Sequence, residues 1–475
     1  MTARGEELIG EATQMALANF NVSGRPIPIL VVHALARIKA AMAQANARLA
    51  GAETGIDDEL ADAIAASADE VAAGHWDEYF TVDVFQTGSG TSTNMNVNEV
   101  IATLATRRLL GRIVHPNDHV NASQSTNDTF PTAVRIAALF EVRDTTLTGL
   151  RRLREALAGR SDAFASIVKA GRTHLMDGPP ITLGHEFGGY RAQVDEAIER
   201  LEQTLSRVAG VPLGGTATGN GLNAPAGVAD AAIDELARAT GLPLRPSTNR
   251  FAAQGSHDAL VELSAQIRGA AVALFKIAND IRLLASGPRT GIGEITLPAL
   301  QPGSSMMPGK VNPVLCEVAT QVAAQVIGND ATVAFAGTQG TLELNAYLPV
   351  IATNLLDSAR LVGRAAADFA QHCVDGIEAN EARCRAYAES SPAIATALNL
   401  LIGYDAATGI VQTAMREDRS VRSVLADSGL VDPAVIDAIL DIDAMAAGAP
   451  KIPQNSTRNW YSLGARKHES TKRSR

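Results

Sequence analysis

At 475 residues the chain is too long for one compact core, and the usual domain size divides it into two to four units. Its 46% apolar content with only 4% aromatic suits close helix packing better than a β-sandwich, so the expected class is mainly α. A formal charge of −10 argues against nucleic acid or a membrane surface as partner, and allows an anionic ligand only where local cations outweigh the global field.

Residues 5–75 carry helical spacing, with Leu30, His33, Ala34, Ile38 and Met42 on one face after a break at Gly24–Pro28. From Phe85 the pattern changes to a Gly- and hydroxyl-rich run, Gln86 to Asn96, which feeds a helix expected to begin near Asn94. Small residues there let backbone N–H groups approach an anion at a helix N-terminus, although Ser, Thr and Asn are also ordinary caps. A second polar island runs from Arg112 through His115 and His119 to Asn121–Asp128. It places Ser125, Thr126 and Asn127 just ahead of a helix expected to start around Pro131, and again N-capping explains the residues as well as ligand binding does.

Long helices are expected over about 131–158, 184–209, 257–286 and from 313 to 335 or beyond. The segment His257–Ser286 would span roughly 45 Å at 1.5 Å per residue, a length that builds a bundle. Between the first two lies a Gly-bounded, Pro-terminated segment, Gly171–Pro180, read as a loop that puts Thr173 and His174 at a bundle end.

The segment Gly303–Pro313, Gly-Ser-Ser-Met-Met-Pro-Gly-Lys-Val-Asn-Pro, reads as chemistry. Pro302-Gly303 and Pro308-Gly309 are turn dipeptides, and Asn312-Pro313 sets up a new helix start. Lys310 offers a point charge, Asn312 an amide with two donors, and Ser304 and Ser305 hydroxyls, a set suited to a carboxylate. Just beyond, Glu317 stands among Leu315, Cys316 and Val318 and is expected to be buried; a buried acid needs a partner, and His174 is the expected one.

Cys316, Cys373 and Cys384 have no C-x-x-C spacing and are expected to be buried free thiols, so no metal centre is anticipated. No signal-type or bilayer-length apolar run is present, which gives the expectation of a cytoplasmic protein with no membrane or nucleic-acid partner. The stretch 381–446 reads as a small C-terminal helical domain, and 447–475 as a disordered basic tail.

Five of these islands, Thr87–Thr91 with Asn94–Asn96, His115–Asp118, Ser123–Asp128, Gly171–His174 and Gly303–Pro313, occur in the order seen in the fumarase/aspartase superfamily. The chain resembles that superfamily over about residues 10–445, and within it the class II fumarases most. The resemblance implies a three-domain fold, with an N-terminal lyase domain over 1–124, a central bundle of long helices over 125–380 and the small domain over 381–446. It also implies a metal-independent homotetramer without a cofactor, acting on fumarate and L-malate, with active sites each shared by three chains.

By the same resemblance Ser304 is the general base on a mobile loop, and His174, oriented by Glu317, handles the hydroxyl or water proton. Ser305, Lys310, Val311 and Asn312 bind a substrate carboxylate, and Ser89, Gly90, Thr91, Ser125, Thr126, Asn127 and Thr173 complete the pocket. Arg112, His115, Pro116, Asn117 and Asp118 match a secondary dicarboxylate site. The family's opening strand segment is missing ahead of residue 10, which bears on the packing of the first domain; Met15 and Asn220 depart from the usual pattern and the basic tail is extra, and these departures bear on activity or stability. Two rivals stand. Aspartate ammonia-lyase is favoured by Thr126, against His257–Glu262 and Asn345–Pro349, which look like fumarase; the other rival is a non-catalytic binding homologue.

Overall fold

The computed structural model describes residues 8–110 and 112–448. In chain order its main helices are α1 (Glu11–Asn19), α2 (Ile29–Thr54), α3 (Asp58–Ala72), α4 (Thr91–Arg108), α5 (Thr126–Glu141), α6 (Leu147–Ala163), α7 (Leu183–Val208), α8 (Val228–Thr240), α9 (Arg250–Gly255), α10 (Asp258–Leu284), α11 (Val314–Gly337), α12 (Leu348–His372) and α13 (Glu381–Ser390). Between α6 and α7 runs one antiparallel hairpin, β1 (Val168–Thr173) with β2 (Met176–Thr182). No helix among the described residues is long and apolar enough to cross a membrane. The basic tail falls almost wholly outside the described residues.

Helix boundaries follow local chemistry. Both α4 and α5 start earlier than the sequence pattern predicts. Gly90 takes a left-handed conformation and starts α4 at Thr91. Ser125 and Asp128 form a capping box that starts α5 at Thr126 and places Pro131 inside the helix. Farther on, Gly149 of α6 meets the carbonyl of Gly363 of α12, where an added Cβ would lie 1.9 Å from that oxygen. The two backbones can cross at that separation only because both positions are glycine.

Contacts divide the described residues into two compact units. The first comprises the described parts of Met1–Arg152, Val194–Ala278 and Glu317–Asp368. Its core is built from Leu35, Ile38 and Met42 of α2, Val97, Val100 and Ile101 of α4 and Phe130, Val134 and Ile136 of α5, all without solvent exposure. A carboxylate from α4 fixes α1: Glu99 accepts from the N–H of Gly10, Ala12 and Thr13 and from the Thr13 hydroxyl, so α1 begins on a negative charge at its positive end.

The second unit comprises the described parts of Leu153–Gln193, Asn279–Cys316 and Phe369–Arg475. Short helices Tyr404–Glu417, Val421–Ser428 and Pro433–Ile439 share one core with Val168 of β1 through Leu398, Ile410, Leu425 and Ile439. The Gly171–Pro180 loop expected from sequence is instead the turn and flanks of the hairpin. Thr173 pairs with Met176, and His174 and Leu175 both take positive φ, 57° and 62°, as a two-residue type I′ turn requires.

Candidate active site

Two of the predicted islands meet in the first unit. The loop before α4 and the loop before α5 are tied by Asn94, whose amide donates to Thr126 Oγ1 at 3.0 Å and to Asn121 Oδ1 at 3.2 Å. Ser89 and Thr91 share a hydrogen bond of 2.7 Å, and Thr126 is buried. An added Cβ on Gly90 would lie 2.3 Å from the Phe130 ring, so only glycine lets these hydroxyls sit against α5. Ser125 Oγ caps α5 by accepting from Asn127 N–H at 3.2 Å, which leaves its own proton free to donate. Asn127 donates to Ala217 O at 2.9 Å. Next to these groups Asn96 Nδ2 and Asn94 Oδ1 are buried without a partner. The result is a hydroxyl- and amide-lined surface at the positive end of α5, a donor set for an acceptor-only anion.

The second unit holds two more islands. In the Gly303–Pro313 loop, Gly303 N–H donates to Lys310 O at 2.8 Å and Asn312 Nδ2 donates to Gly303 O at 2.6 Å, closing the loop on itself. One donor of Asn312 is thus structural; its other N–H remains. Ser304 Oγ accepts from the N–H of Met306 at 3.1 Å and of Met307 at 3.0 Å. Ser305, Lys310 and Val311 are exposed. On the hairpin Thr173 and His174 are also exposed, His174 in the two-residue turn.

Buried charges hold that hairpin. Arg172 makes a bidentate pair with Glu294, 2.9 Å on each arm, and Lys169 reaches Glu186 at 2.8 Å and Glu294 at 3.3 Å. Cys384 donates to Glu294 O, and burial pushes its thiol up to about 12. All three cysteines are buried and free.

One expectation changes. Glu317, read as a buried acid, is exposed on α11 within one chain, and its carboxylate has no hydrogen bond among the described residues. Apolar neighbours in sequence do not bury a side chain that points off the outer face of a helix. At the island read as a secondary dicarboxylate site, Arg112 pairs with Asp57 at 2.8 Å, while His115 Nδ1 accepts from Asn117 and Asp118 N–H. A dicarboxylate there would compete with Asp57 for the guanidinium.

The family model described as Lyase matches residues 1–328, and that described as Fumarase C C-terminus matches residues 394–447. The chain is 52% identical to the class II fumarate hydratase of Corynebacterium glutamicum, over 91% of this chain and 92% of that one. It belongs to the class II fumarate hydratase family. The class II fumarate hydratase of Mycobacterium tuberculosis is 49% identical over 91% of each chain. The class II fumarase structure from Schistosoma mansoni superposes with a TM-score of 0.91 at 37% identity, covering 95% of this chain and 97% of that one. The mainly α, fumarase/aspartase-like bundle expected from sequence is the fold of this family member.

Sequence reasoning missed one residue behind the pocket of this class II fumarate hydratase family member. Lys39 of α2 has no solvent exposure and donates to Asn121 Oδ1 at 2.8 Å and Gln124 Oε1 at 2.9 Å. Asn121 Oδ1 is the same atom that receives Asn94, so Lys39 braces both islands. The signal was available: Lys39 interrupts an apolar stripe at Leu35, Ile38 and Met42. Burial pulls the Lys39 ammonium down to about 7, against the pull of Asp128. Burial pushes Asp128 upward although it accepts from the N–H of Ser125, Thr216 and Gly214.

The sign of the pH dependence follows. Below about 7 Lys39 is protonated in both folded and unfolded chains; between about 7 and its ordinary 10.5 only the unfolded chain binds the proton. Its contribution to stability therefore rises with pH across that window, and Asp128 acts oppositely, at lower pH. Lys39→Met removes this rise, so the denaturant midpoint of the parent climbs relative to that of the variant between pH 7 and 10. Because Gln124 Oε1 loses its donor and Asn121 its anchor, kcat/KM falls by about 10² through misplacement of Ser125–Asn127.

Proposed function

We propose that the chain catalyses the reversible addition of water to fumarate, giving L-malate, with Ser304 as the base of the dehydration direction. The observation that carries the chemistry is the pair of N–H groups on Ser304 Oγ. A serine hydroxyl is a poor base in water. Two aimed backbone donors, together with the Lys310 charge on the same loop, stabilise the alkoxide that a serine needs to accept a carbon-bound proton.

In this reading the alkoxide takes the C3 proton of malate, and the electron pair moves into the adjacent carboxylate to form an aci-carboxylate. The C2–O bond then breaks, with His174 delivering the proton that leaves with water. In a site shared by three chains of a homotetramer, Ser89, Thr91, Ser125, Thr126, Asn127 and Thr173 donate to the carboxylates, and Ser305, Lys310 and Asn312 close over one of them as the loop moves. Each donor aimed where negative charge grows is worth about 10²–10³ in rate.

We assign Glu317 as the partner that orients His174, supplied by a neighbouring chain in a homotetramer. Support comes from α10 and α11, which leave Val272, Phe275, Val318, Ile327 and Phe335 exposed in one chain, an apolar surface suited to helix packing between copies. Buried free thiols suit a reducing compartment, and we place the enzyme in the cytoplasm.

Thr126 is the one pocket residue that favours aspartate as substrate. The test is fumarate absorbance from purified protein given L-malate or L-aspartate. Turnover of malate alone is the expected result. Turnover of aspartate alone would overturn the reading in favour of an ammonia-lyase, and silence with both would leave a non-catalytic homologue.

A further inference from the structure

Arg135 lies on the middle of α5, eight residues past Asn127 and so about 12 Å along the helix axis from the candidate pocket. It is 4% exposed, its Nε is buried without a partner, and the guanidinium makes no hydrogen bond or ion pair among the described residues. Burial pulls it down only to about 10, so it stays charged at neutral pH. His257, just ahead of α10, is fully buried beside it with both ring nitrogens unpartnered. Burial and then the Arg135 charge pull that imidazole down to about 3, so it is neutral and supplies no counter-charge. Asp258 attracts the Arg135 charge without hydrogen-bonding it, so the buried guanidinium donors stay unmatched, a cost that a bound anion would relieve.

Arg135 is part of the lining of a recess of about 270 Å³, together with Arg207, Arg245, Ser247 and Asp258. Glu262 holds Arg207 from its Nε at 2.6 Å, and Asp258 is the one acid in the lining, so two negative charges face three guanidiniums and one cation is left over. Arg245 has one arm on Ser206 O at 3.2 Å and the rest of its fork unassigned. Ser247 Oγ is buried and has no partner. All of these groups belong to the first compact unit.

We propose that this recess is a binding site for a small oxyanion, a phosphate or carboxylate group, held by the Arg135 guanidinium with Arg245 and the Ser247 hydroxyl. Fork-shaped guanidinium donors fit two oxygens of such a group at once, and the hydroxyl donates to a third. The site is separate from the Ser304 loop, the His174 hairpin and the Arg112–Asp118 island.

The test is thermal unfolding and titration calorimetry of the full chain in anion-poor buffer, with inorganic phosphate or succinate added at constant ionic strength, for the parent and for Arg135→Met, Arg245→Ala and Lys310→Ala. Without added anion, Arg135→Met melts no lower than the parent, because it removes an unpaired buried charge. With anion, the parent and Lys310→Ala gain several degrees, Arg135→Met gains nothing at this site, and Arg245→Ala binds at least tenfold more weakly. Whichever of phosphate and succinate gives the Arg135-dependent gain is the oxyanion class of the site. Three results would overturn the proposal: a lower melting point of Arg135→Met in anion-poor buffer, which would reveal a protein partner for the guanidinium; equal gains in parent and Arg135→Met; or no response to either anion.

Discussion

Replacing Ser304 by alanine lowers kcat by about 10²–10⁴ while leaving melting temperature and assembly unchanged. Ser304 is half-buried on a loop whose shape is set by other atoms: the Gly303 N–H to Lys310 O bond, the Asn312 side chain on Gly303 O, and the left-handed Gly309. Removing the hydroxyl frees the Met306 and Met307 N–H groups, both on exposed residues that water reaches, so folding loses little. In the proposed mechanism the reaction loses the atom that takes the proton. Cysteine at the same position is a second check, because a thiolate forms more easily than an alkoxide but accepts a hydrogen bond from N–H less well; its kcat should stay far below that of the parent. Near-normal turnover in Ser304→Ala would remove the residue from the base role and move the proton transfer to another group.

The Ser304 loop was legible in the sequence because its signals are short-range. Turn dipeptides, a helix-starting Asn-Pro and a lysine within seven residues all act on neighbours in the chain. The long helices were legible for the same reason: the stripe from Ala259 through Leu263, Ile267, Ala270 and Leu274 needs no knowledge of what it packs on, and α10 runs Asp258–Leu284. The hairpin was not. Val168–Thr182 contains Pro179 and Pro180 and a buried lysine, and lacks the alternating apolar pattern that marks a strand. Its buried cations pair with Glu294, more than a hundred residues away, which no local pattern can announce. Glu317 failed in the other direction, since which face of α11 is covered depends on packing rather than on the type of its neighbours in sequence. Lys39 lay in plain view on a helix face, but its use became apparent only when Asn121 and Gln124 were brought to it.

The hairpin therefore carries the largest expected stability effect. Glu294 has no solvent exposure and meets two cations, Arg172 through both carboxylate oxygens and Lys169 at 3.3 Å. With Glu186 on Lys169 the cluster holds two acids and two bases, so it is neutral as built. Glu294→Gln keeps the volume, removes one negative charge and turns an amide N–H₂ toward guanidinium donors. Breaking a buried pair on one side in this way costs about 3–5 kcal/mol, far more than the pair itself contributes relative to an apolar replacement. Two features sharpen the expectation. The loss should be recovered in part by also removing the cation left without its bidentate partner, so Arg172→Met combined with Glu294→Gln is more stable than Glu294→Gln alone; simple loss of packing would make the double variant worse. Hydrogen exchange should speed up first at the β1 and β2 amides, which hold the turn carrying His174, and kcat should fall with it even at temperatures where the helices stay folded. A variant that keeps slow exchange across Val168–Thr182 would show that the hairpin is held by its packing on α13 and the C-terminal helices, with the buried ion pairs a neutral accompaniment.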